Sequence, residues 1–271
     1  MKIVTAILSY FLEHGESASV GDDLYNVSHY WREVLRSVPQ AWSTIIVQES
    51  SAESMEEFRR CIDLSKGMNI ELYIAFVGLD AKELTDQVQL MLELVDIIKT
   101  CFQYVTRFYI GFDYEEEYDL VFENAYETID SGPFPALREL CVRTPLTNSA
   151  TIPVFVLPNT PIQFPNIQWL NLDWEDLPIL NALSEETLDS VKKLTMSLPY
   201  LPNIDDMQLI GKFPRLDGLH IFLDSHILPS GSISPSPTLL TSLHAKTADP
   251  SLVAQFIRSL SPRSLHRFSF Q

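Results

Sequence analysis

The sequence predicts an α/β fold: a right-handed solenoid with a curved parallel sheet, helical or irregular outer returns and a short helical segment at its N-terminal end. Three observations carry this. An apolar frame, occupying the first, fourth and sixth places of a six-residue stretch, recurs along the chain; its clearest copy is Leu216, Leu219 and Ile221 in FPRLDGLHIF. The last places of the frame alternate, as the two faces of a strand require. The copies also keep a period. Their first residues are Trp42, Asn69, Val105, Leu137, Ile167, Val191, Leu216, Leu240 and Leu265, and the last four steps are 24 or 25 residues. Finally, the stretches between early copies carry helical periodicity. A strand, a return and a parallel strand make a right-handed crossover, and no such unit buries its apolar face alone, so the stack needs caps.

Residues 1–41 are read as the helical N-terminal segment and 42–271 as about nine strand units. Ile3, Ile7, Leu8, Phe11 and Leu12 fall at helical spacing before a polar loop at 14–23. Leu24, Val27, Trp31, Val34, Leu35 and Val38 form a stripe at spacings of three and four, and Pro39 ends it. Trp42, Ile45 and Val47 make the first frame, and Leu72 and Ile74 follow polar Asn69 in the second. A helix over 54–65 carries Met55, Phe58, Cys61 and Ile62, with Ser54 and Glu57 as its capping box and Gly67 as its stop. The next helix, 81–102, has Leu84, Val88, Met91, Leu92, Val95, Ile98 and Phe102 as its stripe. A third return, 116–130, is also helical. Prolines at 145, 153, 158, 161 and 165 make the following return irregular. Helices are predicted over 176–190, 203–211 and 250–260, the last with Leu252, Val253, Phe256, Ile257 and Leu260; 224–238 is loop. Repeats of ~20–29 residues with this pattern are leucine-rich-repeat-like.

Composition narrows the function. The formal charge is −17, which disfavours nucleic acid and anionic membrane surfaces, because both need Lys or Arg against phosphate. No apolar run reaches the ~18 residues of a membrane span, and the apolar start MKIVTAILSYFLEHGE lacks a small-x-small cleavage site. Cys61, Cys101 and Cys141 are odd in number and widely spaced, which reads as buried, reduced thiols in a cytoplasmic or nuclear protein. Gly-rich phosphate loops, GxSxG and HExxH are absent, so neither an enzyme nor a cofactor is expected. His220 and His244 occupy one place in adjacent units, roughly 5 Å apart by strand spacing, without a third ligand for a metal. The acidic run Asp113–Asp119 reads as a solvated helix start.

What remains is recognition. The places between frame residues point away from the core. One row runs Ile46, Tyr73, Tyr109, Cys141, Asn171, Thr195, His220, His244, Ser269; its flanking rows include Arg107, Trp169, Lys193, Gly218 and Arg267 on one side, and Arg143, Phe222 and Lys246 on the other. Aromatic and Arg residues concentrate binding energy in protein interfaces. The candidate partner-binding residues on this concave side are Tyr73, Arg107, Tyr109, Arg143, Trp169, Asn171, His220, Phe222 and His244.

One segment resembles a known family. VSHYWREVLRSVPQAWSTI, Val27 to Ile45, is similar to the second half of an F-box: Trp31, Arg32 and Val34 match its helix, and Pro39 and Trp42 its turn. Followed by repeats, the arrangement resembles the fungal-type F-box/leucine-rich-repeat proteins. His29 and Ala41 depart from the pattern, and the opening Leu-Pro-x-Glu segment is not found. The resemblance implies a substrate receptor of an SCF cullin–RING ubiquitin ligase, with a protein substrate on the repeats. Val27, Trp31, Arg32, Val34, Leu35, Pro39 and Trp42 would contact the Skp-type adaptor or cap the solenoid. The alternative is an adaptor-independent scaffold whose degenerate F-box is only a cap.

Overall fold

A computed structural model of the protein describes residues 28–48, 51–76, 84–112, 134–143, 163–172, 180, 183–198, 208–223, 239–247, 249–260 and 265–270. They belong to two units, Met1–Ala136 and Leu137–Gln271. Both units are α/β, and within each every strand pairs in parallel with the next strand of the chain. The helical stretch expected at 3–12, the polar loop 14–23, the first residues of the stripe that begins at Leu24, the helix expected over 116–130, the acidic run, most of the proline-rich return and the 224–238 loop lie outside the described residues.

The first unit opens with α1 (His29–Arg36). Ser28 caps it, its Oγ accepting from the Trp31 amide at 3.3 Å, which satisfies one of the orphan donors of the first turn. Val34 and Leu35 are buried, so the apolar stripe faces inward. Pro39 starts a 3₁₀ turn, Pro39–Trp42, where its fixed φ suits the first position. Trp42 is buried, and its Nε1 donates to the Leu35 carbonyl at 3.0 Å. The turn runs directly into β1 (Thr44–Val47), with Ile45 and Val47 buried.

Next comes α2 (Ala52–Ser65). Its cap is Ser51, not the expected Ser54: Ser51 Oγ accepts from the Ser54 amide at 3.2 Å. Ser51 presents the same hydroxyl one turn earlier, with Glu53 in the first turn to favour the helix dipole. Met55, Phe58 and Cys61 are buried and Ile62 is half-buried. The helix ends on Lys66 and Gly67, both left-handed at φ 52 and 73, so the expected glycine stop is present.

The strand β2 (Ile70–Phe76) corrects the second frame. Asn69 is exposed and Ile70 takes its place, fully buried. The cause is a bulge opposite, in β3 (Val105–Phe112). Ile70 pairs with Val105 but Glu71 with Arg107, which leaves Thr106 as the extra residue. A bulge shifts the pattern by one, and Thr106 Oγ1 donates to the Ile70 carbonyl at 3.2 Å. Between these strands, α3 (Leu84–Cys101) buries Leu94, Val95, Ile97, Ile98 and Cys101, while Leu92 is only half-buried. Its inward face is thus broader than the expected stripe. Phe102 begins a 3₁₀ turn, Phe102–Tyr104, and meets the buried ring of Phe134 at 4.2 Å between centroids; Phe108 lies 5.1 Å from the same ring. Phe134 sits at φ 53. That backbone costs about 1–2 kcal/mol, and burying the ring offsets it by roughly 1.5–3 kcal/mol.

The second unit is more regular. Its strands are β4 (Glu139–Arg143), β5 (Trp169–Leu172), β6 (Lys193–Leu198), β7 (Gly218–Leu223), β8 (Ser242–Lys246) and β9 (Arg267–Phe270). Every frame residue from Leu137 to Ala245 is buried. The last frame differs: Phe268 and Phe270 are 50% and 42% exposed. Phe164 and Phe213, each followed by Pro, are buried beneath the strand starts, and their carbonyls accept from Ile167 and Leu216 at 3.2 and 3.3 Å. Pro is favoured at the second place of such a turn.

A column of shared carbonyls sets the register. The Arg138 carbonyl accepts from the amides of both Gln168 and Trp169. Gln168 does the same for Lys192 and Lys193, Lys192 for Asp217 and Gly218, Asp217 for Thr241 and Ser242, and Thr241 for His266 and Arg267. Each strand start is therefore pinned to the one before it, and a one-residue slip would turn every frame inside out.

The described returns here are short. In place of the expected 176–190 helix, helical Leu180 and α4 (Glu185–Ser190) are described, α4 capped by Ser184. Buried Thr187 accepts from the Phe164 amide at 2.8 Å through Oγ1, tying the return to a neighbouring repeat. Of the expected 203–211 helix, Gln208 is helical and a 3₁₀ turn, Leu209–Lys212, follows it; such turns are frequent at helix ends. The return α5 (Pro250–Leu260) has the expected bounds and buries Leu252, Val253, Phe256 and Leu260, with Ile257 half-buried. Among the described residues, no helix is long and apolar enough to cross a membrane.

Candidate functional site

Strand alternation leaves one face of the strands in each unit free of frame residues, and the pairing aligns the side chains of that face in rows. In the first unit Ile46 is opposite Tyr73 and Tyr73 opposite Tyr109. The two tyrosine rings are 6.0 Å apart and tilted by 30°. Tyr109 lies along its own strand over Gly111, where a Cβ would come within 3.2 Å of its ring. Arg107 is held by Glu71, Nη1 to Oε1 3.2 Å. Tyr73, Arg107 and Tyr109 therefore form one aromatic and charge-neutral patch.

In the second unit the central row pairs Cys141 with Asn171, Asn171 with Thr195, Thr195 with His220, His220 with His244 and His244 with Ser269. Trp169 leans across it: its Nε1 donates to Thr195 Oγ1 at 3.1 Å, and Lys193 Nζ stands 5.6 Å from its ring centre. Cys141 and Thr195 are buried. His220 and His244 are 5.3 Å apart between ring centres, and His244 Nδ1 shares a hydrogen bond with Ser269 Oγ. Burial, and then the nearby His244 and Lys193, hold the His220 imidazole below its ordinary pKa. Lys246 Nζ lies 5.7 Å from the Phe222 ring centre.

The expected rows are thus aligned as read, but the candidates divide between units: Tyr73, Arg107 and Tyr109 in the first, Trp169, Asn171, His220, Phe222 and His244 in the second. Arg143 belongs to β4, and its side chain lies outside the described set. Lys193 and Lys246 stand beside these candidates in the same rows. The signal for them was available, because each stands one repeat after an aromatic residue in its own row.

The helical segment places its candidates differently. Val34, Leu35 and Trp42 are consumed in packing. Trp31 and Pro39 are half-buried and Arg32 is exposed; Val27 lies outside the described residues. The thiols are also interior: Cys61, Cys101 and Cys141 are free and buried, and burial pushes the Cys101 thiol up to about 12, the opposite of an activated nucleophile. Among the described residues, no three His, Cys, Asp or Glu side chains are grouped to hold a metal. The chemistry these faces support is non-covalent: stacking, cation–π contact, hydrogen bonding and a titratable imidazole pair.

No protein-family model matches the chain, and a search of curated proteins finds no significant match.

Proposed function

We propose that the chain is a non-catalytic protein-recognition module, the substrate receptor of an SCF-type cullin–RING ubiquitin ligase. The strand faces would hold a target protein, and the ligase would supply the chemistry by proximity. The observation that carries this reading is the set of outward rows, in which aromatic, amide and cationic side chains stand in register on parallel strands and take no part in the core. The half-buried Trp31 and exposed Arg32, on a helix similar to that of an F-box, supply the adaptor contact. Such a receptor works in the cytoplasm or nucleus.

The test is co-purification of the full chain with a Skp-type adaptor. A stable complex, lost in Arg32→Ala and Trp31→Ala variants of unchanged circular dichroism, supports the reading; no complex from the full chain overturns it. A second reading, an adaptor-independent scaffold, draws on the burial of Val34, Leu35 and Trp42, which are spent on capping β1. It predicts that Trp31→Ala leaves target binding intact.

A further inference from the structure

We propose that the face of β6 to β9 binds an acidic segment of a partner protein, its carboxylates seated among Lys193, His220, His244 and Lys246. The inference rests on the recognition reading above and names the chemical class of what is recognised.

The charge distribution argues for it. The chain has 36 Asp and Glu against 19 Lys and Arg. Yet the outward positions paired across β6 to β9 carry Lys193, His220, His244, Lys246 and Arg267, and no Asp or Glu. A cationic island in an acidic chain is complementary to carboxylates and repels the rest of the chain's own kind. Its two lysines are held over the rings of Trp169 and Phe222, and among the described residues neither is in an ion pair with a carboxylate; ring contacts position an ammonium without neutralising it. A long nucleic acid would extend into the field of a chain with net charge −17, whereas a few carboxylates meet the local field alone.

The His220 imidazole makes the contact pH-dependent. The side chains facing His220 are Thr195 and Lys193 from β6 and His244 and Lys246 from β8; on its own strand lie Gly218 and Phe222. Burial, and then the neighbouring His244 and Lys193, make His220 gain a proton less readily than usual, and none of these described neighbours is anionic. A bound carboxylate supplies the missing counter-charge, so binding takes up a proton and strengthens as pH falls from 8 toward 6.

The experiment is fluorescence anisotropy with a labelled oligo-glutamate peptide on the full chain, beside an oligo-lysine peptide and an oligo-dT strand. Oligo-glutamate should bind best, and roughly threefold or more tightly at pH 6 than at pH 8. Lys193→Gln and Lys246→Gln should each weaken it by roughly threefold or more, His220→Asn should flatten the pH response, and Lys212→Gln, on the 3₁₀ turn, should change nothing. Circular dichroism and melting check that the variants fold. No oligo-glutamate binding, binding unmoved by the face variants, or tighter oligo-dT binding overturns the proposal. The adaptor is not in this assay, so its failure beside a successful adaptor co-purification removes this inference alone.

Discussion

Tyr73 and Tyr109 hold the same row positions in β2 and β3 that His220 and His244 hold in β7 and β8. The two pairs of rings sit at similar separations, 6.0 and 5.3 Å, because strand spacing sets the distance. Their neighbours differ. Beside the tyrosines, Arg107 is cancelled by Glu71; beside the histidines, Lys193 and Lys246 face rings instead of acids. The ladder therefore fixes where an outward side chain stands, and residue type decides what it does there. The backbones differ as well. The first unit carries a bulge at Thr106 and long helices behind its strands; the second carries an unbroken column of shared carbonyls.

Phe58 on α2, in the first unit, and Phe213 before β7, in the second, are both buried aromatic plugs. Phe58→Ala and Phe213→Ala should each cost roughly 3–5 kcal/mol in urea unfolding. A loss under about 1 kcal/mol at either site would show that the two cores do not depend equally on one such plug.

The frame was legible because its period of two within a strand, and of 24 or 25 between the last five strands, survives in plain letters. The rows followed from it, since partners lie one repeat apart. The bulge was not legible: Asn69 and Ile70 are adjacent, and only the extra residue Thr106, on another strand, decides which turns inward. Ser51 and Ser54 offer the same hydroxyl, and the letters alone do not choose between them. Phe134, Phe164 and Phe213 lie outside the frame, yet all three are buried; the Phe-Pro pair they share was a usable signal. Of the candidate site, positions were readable but charge balance was not. That Arg107 is paired and Lys193 is set over an indole depends on side-chain reach across strands.

A medium effect separates the ways the two units leave a helix. After α2 the chain turns through left-handed Lys66 and Gly67, whereas after α4 it leaves through extended Val191. Gly67→Ala must hold an L residue at φ 73 and bring its Cβ to 3.1 Å from the Tyr104 ring. It should cost roughly 1–2 kcal/mol. Ser190→Ala, at the exit of α4, loses only the bond from its Oγ to the Thr187 carbonyl and should cost about 1 kcal/mol or less. Equal losses in urea midpoints would mean that the left-handed turn carries no special weight.

The smallest effect isolates what histidine adds to a slot that tyrosine can also fill. Burial, with His244 and Lys193, lowers the folded-state pKa of His220 below its ordinary 6.5. The unfolded chain then binds more protons than the folded one, so stability rises with pH through this window. Above about 6.5 both states are neutral at this residue and it contributes no slope. As pH falls from 6.5 toward the lowered value, stability is lost, and below that value the loss levels off. His220→Asn keeps a polar side chain and removes the proton, so its urea midpoint should fall less between pH 7.5 and 5.5 than that of the wild type. Tyr73→Phe changes no group that titrates there and should keep the wild-type difference. If His220→Asn and the wild type lose the same amount, the His220 imidazole is not a proton-sensitive element. The two ladder faces would then differ in charge alone.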